Sequence, residues 1–201
     1  MMASKDSFSD ALVTWLKSDR PKSLTDLVGL FGEKSFAVSL LILMATPALP
    51  IPTGGITHIF EIVAVLISFE IILGRKTIWL PNRWKKISVS GLSESRATRM
   101  IIKQLQWIER RSKPRSRGVI NNELFLRITG VLILLFCAAA FLAPPFSGLD
   151  TLPSIGVVII ALSLIFEDLL MYVTGVIVGS IGVGTTLALG LVLSRSFKLL
   201  L

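Results

Sequence analysis

The sequence is short of the groups on which most soluble chemistry depends. Its 201 residues include one cysteine and one histidine, and only 17% are charged. The lone Cys137 excludes an intramolecular disulfide and any cysteine-based metal cluster, and its apolar surroundings read as those of a small buried hydrophobe. The lone His58 excludes a paired-histidine metal centre. No Gly-x-Ser-x-Gly elbow occurs, and the glycines near the C-terminus have neither the following Lys-Ser/Thr nor the preceding soluble strand of a phosphate loop. Glu167 and Asp168 are paired carboxylates, but sequence neighbours diverge on a helix and no soluble cleft is in evidence, so glycosidase chemistry is unsupported. No enzyme activity and no cofactor are expected. The first residues lack the apolar core of a signal peptide, so insertion into a membrane is expected to rely on internal, uncleaved segments.

What the chain has in excess is apolar length. Hydrophobic residues make up 52% of it, outside the usual soluble range. Of its 21 Lys and Arg, five precede Phe36, fourteen lie between Arg75 and Arg127, and two follow Ser194. The apolar stretches between these blocks hold none. A net charge of +8 in so apolar a chain fits cytoplasmic loops against anionic lipid headgroups rather than nucleic-acid binding.

The layout repeats. Shifting the sequence by 97 positions lays residues 47–73 over 144–170 without a gap, matching Pro47 with Pro144 and Phe69-Glu70 with Phe166-Glu167. Each copy is an apolar run, a proline-rich break, a second apolar run and Phe-Glu. Pro47, Pro50 and Pro52 in the first copy, and Pro144, Pro145 and Pro153 in the second, remove backbone donors and restrict the residues before them. The run from Phe36 to Ala45 reaches about half of a ~30 Å hydrocarbon core. It therefore either continues kinked through the prolines or turns back as a re-entrant half-helix covered by protein. Ile56 to Leu73 and Leu124 to Leu142 are long enough to span. Leu152 to Val192 can cross twice, either breaking at Glu167-Asp168 and continuing as a fifth helix, or breaking again at residues 179–184. Because the proline segments carry no basic residue, both are expected outside and the basic linker inside.

The resulting expectation is an all-α, polytopic helical membrane protein with two proline-broken helix-hairpin repeats, kinked or re-entrant, plus amphipathic surface helices. Its parts are N-terminal amphipathic helices over 1–33, a first membrane repeat over 34–75, a basic cytoplasmic linker with an amphipathic helix over 76–122, a second repeat over 123–172 and a C-terminal membrane helix over 173–201. Phe8, Leu12, Trp15 and Leu16 share one helical face, as do Ile101, Leu105 and Ile108. Trp79 and Trp84 among basic residues resemble an interfacial anchor.

Polar groups within the spans are few. His58, Glu61 and Ser68 fall at offsets of zero, three and ten, and the helical period brings all three to one side of their helix. The plain reading is a hydrogen-bonded His58–Glu61 couple near the outer interface. The functional reading is an ion or proton path, since ionisable groups at membrane depth are expensive. Glu70, Glu167 and Asp168 belong near the cytoplasmic surface with Arg75 and Arg127, either as structural ion pairs or as a substrate or ion site. Gly175-x-x-x-Gly179, with Gly182 and Gly184, offers a smooth face for close approach of another helix.

With these residues in hand, the chain resembles the ExoD family of bacterial membrane proteins. The matching pieces are Pro47-x-x-Pro50-x-Pro52, Gly74-Arg75-x-x-x-Trp79-Leu80-Pro81, Pro114-Arg115, the stretch from Pro144 to Pro153, and Glu167-Asp168. The family often has Gln where Glu70 stands, which argues against a catalytic Glu70, and Gly where Leu169 stands, so that the turn after Asp168 is either looser in requirement than the family pattern implies or not a turn here. The resemblance implies a multi-pass protein of the bacterial cytoplasmic membrane, associated with exopolysaccharide synthesis or export and in contact with lipid and with polysaccharide-synthesis proteins. From the sequence, the leading expectation is an accessory or regulatory factor, and the alternative is a small repeat-built transporter or channel-like protein using intramembrane acids. Uncovered Gly-rich and Pro-rich surfaces add the expectation of a homodimer.

Overall fold

In a computed structural model of the protein the described residues are 32–49, 56–75, 117–120, 122–144 and 147–200, with isolated positions at 13–14, 78, 103 and 106–107. Side chains of the last helix are described as far as Gly190. Among these residues the fold is all-α. A 3-10 turn, Gly32–Lys34, leads into α1 (Ser35–Ala45), followed by α2 (Ile56–Ile72), the single turn α3 (Arg117–Ile120), α4 (Glu123–Leu142), α5 (Thr151–Phe166) and α6 (Leu169–Leu200). Most of the expected amphipathic helices, the Trp79–Trp84 anchor, and Pro50, Pro52 and Pro145 lie outside the described residues.

Local chemistry sets the helix ends. Asn122 caps α4, its side-chain oxygen accepting from Leu124 N at 2.9 Å, with Glu123 in the first turn where the helix dipole favours an acid. The helix stops at Ala143, which is extended, as a residue before proline must tend to be. Pro153 does not break a helix. It lies in the first turn of α5, where its missing N–H has no helical acceptor to lose. The turn between α5 and α6 is two residues long. Glu167 adopts the left-handed conformation, φ 57° and ψ 39°, and Asp168 caps α6 by accepting from Leu170 N at 3.0 Å. The helix then runs unbroken through residues 179–184, so of the two expected breaks only the one at Glu167-Asp168 is present.

Every residue of α1 is buried, the condition of a helix that is apolar all round. It packs on α2 and α5, α2 packs on α4, α4 packs on α5, and α6 packs on α5 and α4. Val38, Leu40, Leu43, Met44, Val63, Ile67, Ile133 and Ile160 form the centre. Lys34 meets the end of α5 and Gly130 meets Ile71 and Ile72, so α1 and α4 begin at the end of the bundle where α2 and α5 finish.

The outside is apolar as well. Leu124, Ile128, Val131, Leu135 and Leu142 are exposed along one stripe of α4, and Leu170, Val173, Ile177 and Ile181 along one of α6. A surface helix of a soluble protein carries polar residues on that side. Among the described residues two helices are long and apolar enough to cross a membrane, Glu123–Leu142 and Leu169–Gly190, and only 17% of the α6 window is buried inside the protein.

The α5–α6 contact is made by backbone. A Cβ added to Gly156 would lie 2.5 Å from Cα of Gly179, and one on Gly175 would lie 2.9 Å from the backbone nitrogen of Ile160. Phe136 of α4 closes over Gly179 from the other side. The glycine face is thus filled by a helix of the same chain, as small-residue interfaces allow.

Candidate functional site

The polar residues gather at the two ends of the bundle. At the end where α2 begins, His58 Nδ1 lies 2.7 Å from Glu61 Oε2, across the one-turn separation that brings positions i and i+3 together. Glu61 is completely buried, while the His58 side chain keeps 27% of its surface exposed. The Phe141 ring, from the far end of α4, stands edge-on to the imidazole with centroids 5.5 Å apart. The second carboxylate oxygen of Glu61, Oε1, is buried without a hydrogen-bond partner. Buried carboxylates ordinarily have their oxygens satisfied. Ser68 lies deeper on the same helix, its hydroxyl donating to the Ala64 carbonyl at 2.7 Å. It shares the buried side with Glu61 but is not bonded to it. Pro47 lies in the turn after α1, and Pro144 is exposed after α4.

At the opposite end sit Glu70, Glu167 and Asp168. Glu70 and Asp168 are almost fully buried. Gly74, at φ +70°, ends α2 against Arg127: a Cβ there would come within 3.1 Å of the guanidinium. Lys34 closes the equivalent end of α5, donating to the Ile165 carbonyl at 2.7 Å and lying 3.3 Å from the Glu167 carboxylate. A cation at a helix C-terminus meets unsatisfied carbonyls and the negative end of the dipole. The expected set therefore divides between the ends: His58 and Glu61 form one site, while Glu70, Glu167, Asp168, Arg75 and Arg127 belong to the other.

Three features are not among the residues that the sequence singles out. Lys34 is one basic residue among several before the first apolar run, and only the fold brings it to α5. Thr129 and Tyr172 share a hydrogen bond of 3.0 Å that ties α4 to α6. Ser35 Oγ, Ser39 Oγ and Thr46 Oγ1, all on or just beyond α1, are buried without partners. Their offsets of zero, four and eleven place them within about 40° of one another, a periodicity that is readable in the sequence.

Among the described residues, no group of three or more His, Cys, Asp or Glu could hold a metal ion. The model of the family described as "Exopolysaccharide synthesis, ExoD" matches residues 8–188. The chain belongs to the ExoD family. It is 26% identical over 177 residues to Protein ExoD of Rhizobium meliloti, covering 86% of this chain and 72% of that one. It is 27% identical over 168 residues to an uncharacterized protein of Synechocystis sp., covering 81% of this chain and 77% of the relative. No solved structure matches it. Membership of the ExoD family links the chain to a process, exopolysaccharide synthesis, and names no reaction.

Proposed function

We propose that the protein is an integral accessory or regulatory factor of exopolysaccharide synthesis or export, seated in the bacterial cytoplasmic membrane through multiple helices. The observation that carries this reading is the outward apolar stripe on α4 and α6, added to the family match. Such stripes leave large apolar areas in water unless lipid or a partner protein covers them. The basic linker faces the cytoplasm in this reading, and α1, about 16 Å long and wholly enclosed, starts from the same face and is too short to cross the membrane alone.

Helix packing also supports a repeat. Exchanging α1 with α4 and α2 with α5 converts the α1–α2 contact into α4–α5 and the α1–α5 contact into α4–α2, and all four occur. Both units start at the same end, which makes them parallel repeats about an axis along the membrane normal. A homodimer would use faces other than Gly175, Gly179 and Gly182, which are occupied within the chain.

Single cysteines at Ser88 and Ser147 in a Cys137→Ala background test the placement. Ser147→Cys is expected to react with an impermeant maleimide on intact cells and Ser88→Cys only after permeabilisation. Labelling of both from one side overturns the topology. Transport of a lipid, ion or sugar by the purified protein in liposomes would overturn the accessory role.

A second reading, a small transporter or channel-like protein, is favoured by one observation: the fully buried Glu61 with a free carboxylate oxygen, the kind of group found on ion paths. Flux unchanged by Glu61→Gln with Glu167→Gln would exclude it.

A further inference from the structure

We propose that His58 and Glu61 form a proton-binding site, in which the Glu61 carboxyl takes up and releases one proton through the His58 imidazole from the proline-rich end of the bundle. The inference rests on the membrane placement of α2 and not on the transport reading.

The geometry selects both the ion and the entrance. One carboxylate and one imidazole supply two donor groups, fewer than the four of a zinc site or the six or more oxygens that calcium takes. A proton needs only one oxygen. Glu61 is sealed inside the protein, but His58 is bonded to it through Nδ1 and retains exposed surface, so the imidazole is the group that connects the carboxylate with the outside of the bundle. When Nε2 accepts a proton from water, the Nδ1–H bond breaks and an O–H bond forms on Oε2. The imidazole is left neutral with its hydrogen on Nε2, and the net change is one proton gained by the protein.

The surroundings leave the carboxylate without a strong counter-charge. Helix α1 contributes no titratable group, and neither does α5 within Thr151–Phe166. Helix α4 contributes Cys137, and the turn before α5 contributes Asp150. Asp150 is itself acidic, and Cys137 is fully buried. Lys34 and Arg127 stand at the other end, and among the described residues the one ion pair of Glu61 is that with His58. Loading Glu61 with a proton therefore removes a buried charge whose one hydrogen-bond partner is His58.

The test uses the full chain in phospholipid vesicles. Infrared difference spectra against pH are expected to show a protonated-carboxyl band that titrates and is lost in Glu61→Gln. The one histidine in the sequence makes its ring-nitrogen resonances in the labelled wild-type protein unambiguous, and these are expected to change tautomer in step with that band. In His58→Gln the carboxyl is expected to titrate still, with proton exchange slowed at least about tenfold. The proposal is overturned if no carboxyl band titrates while the wild-type protein stays folded, if the band survives in Glu61→Gln, or if exchange is unchanged in His58→Gln. A titrating band in a protein that carries no flux would sustain the proton site and remove the transport reading.

Discussion

Helices α2 and α5 are of nearly equal length and both pack on α1 and α4, yet they meet their neighbours in opposite ways. On α5 the positions 97 residues beyond His58, Ile59 and Glu61 are Ile155, Gly156 and Val158. Gly156 admits the backbone of α6, and no ionisable side chain lies along that helix. On α2, Ile59 projects outward, half exposed, and the polar pair turns inward. One frame thus holds a tightly sealed helix pair and a looser helix with a buried acid. Any titration or ion chemistry belongs to the second, since α5 carries no ionisable side chain.

The sharpest way to break this contrast is to put a side chain into the sealed half. Gly179→Leu is expected to prevent folding or to lower stability by more than about 4 kcal/mol, because even a Cβ there overlaps the buried Phe136 ring. Gly184, where an added Cβ would meet nothing within 4 Å, serves as the internal control. Gly184→Ala should change the thermal midpoint in detergent little, and toward greater stability.

The next prediction converts α2 into α5. His58→Ile alone strands Glu61 with neither oxygen paired and is expected to destabilise the protein by on the order of 3 kcal/mol. Adding Glu61→Val completes the swap to the residues of α5. The double variant is expected to regain that loss and to equal or exceed the parent by about 1–4 kcal/mol, since apolar replacement of a buried polar pair is often neutral or stabilising. Unfolding in denaturant of the parent, the single and the double variants measures this. A double variant no more stable than His58→Ile would show that the pair is needed for packing and is not an exception to it.

Much of this contrast is legible in the sequence. Helical spacing puts His58 and Glu61 on one face, the internal register matches α2 to α5, and Glu167-Asp168 marks the turn. The glycine spacing announces a close helix contact, although its partner, Gly156, lies in an unremarkable apolar run. Pro153 reads as a break in the sequence and is none in the fold, because a proline in the first turn of a helix has the same local signature as one that ends it. Lys34 cannot be read at all. Its first partner, Ile165, is 131 positions away along the chain and Glu167 lies just beyond it. Nothing in a basic segment singles out the lysine that tertiary packing will bring to a helix end.

The contact of that lysine with the end of α5 carries the smallest expected effect. Lys34 gives α5 a hydrogen bond and a charge at its C-terminus, but its side chain is 45% exposed and water screens the ion pair. Lys34→Met should therefore cost only about 1 kcal/mol, chiefly from the lost bond to the Ile165 carbonyl. Glu167→Gly separates the two contributions. It removes the carboxylate but relieves a left-handed backbone that costs a non-glycine residue about 1–2 kcal/mol, so it should be near neutral in wild-type protein. In the Lys34→Met background, where the carboxylate has already lost that cation, the same substitution should be more favourable by the value of the ion pair. A double-mutant cycle on thermal unfolding measures the difference. If the two substitutions are additive, the Lys34 contact with α5 acts through the carbonyl and dipole alone, and Glu167 serves the turn rather than the contact between α1 and α5.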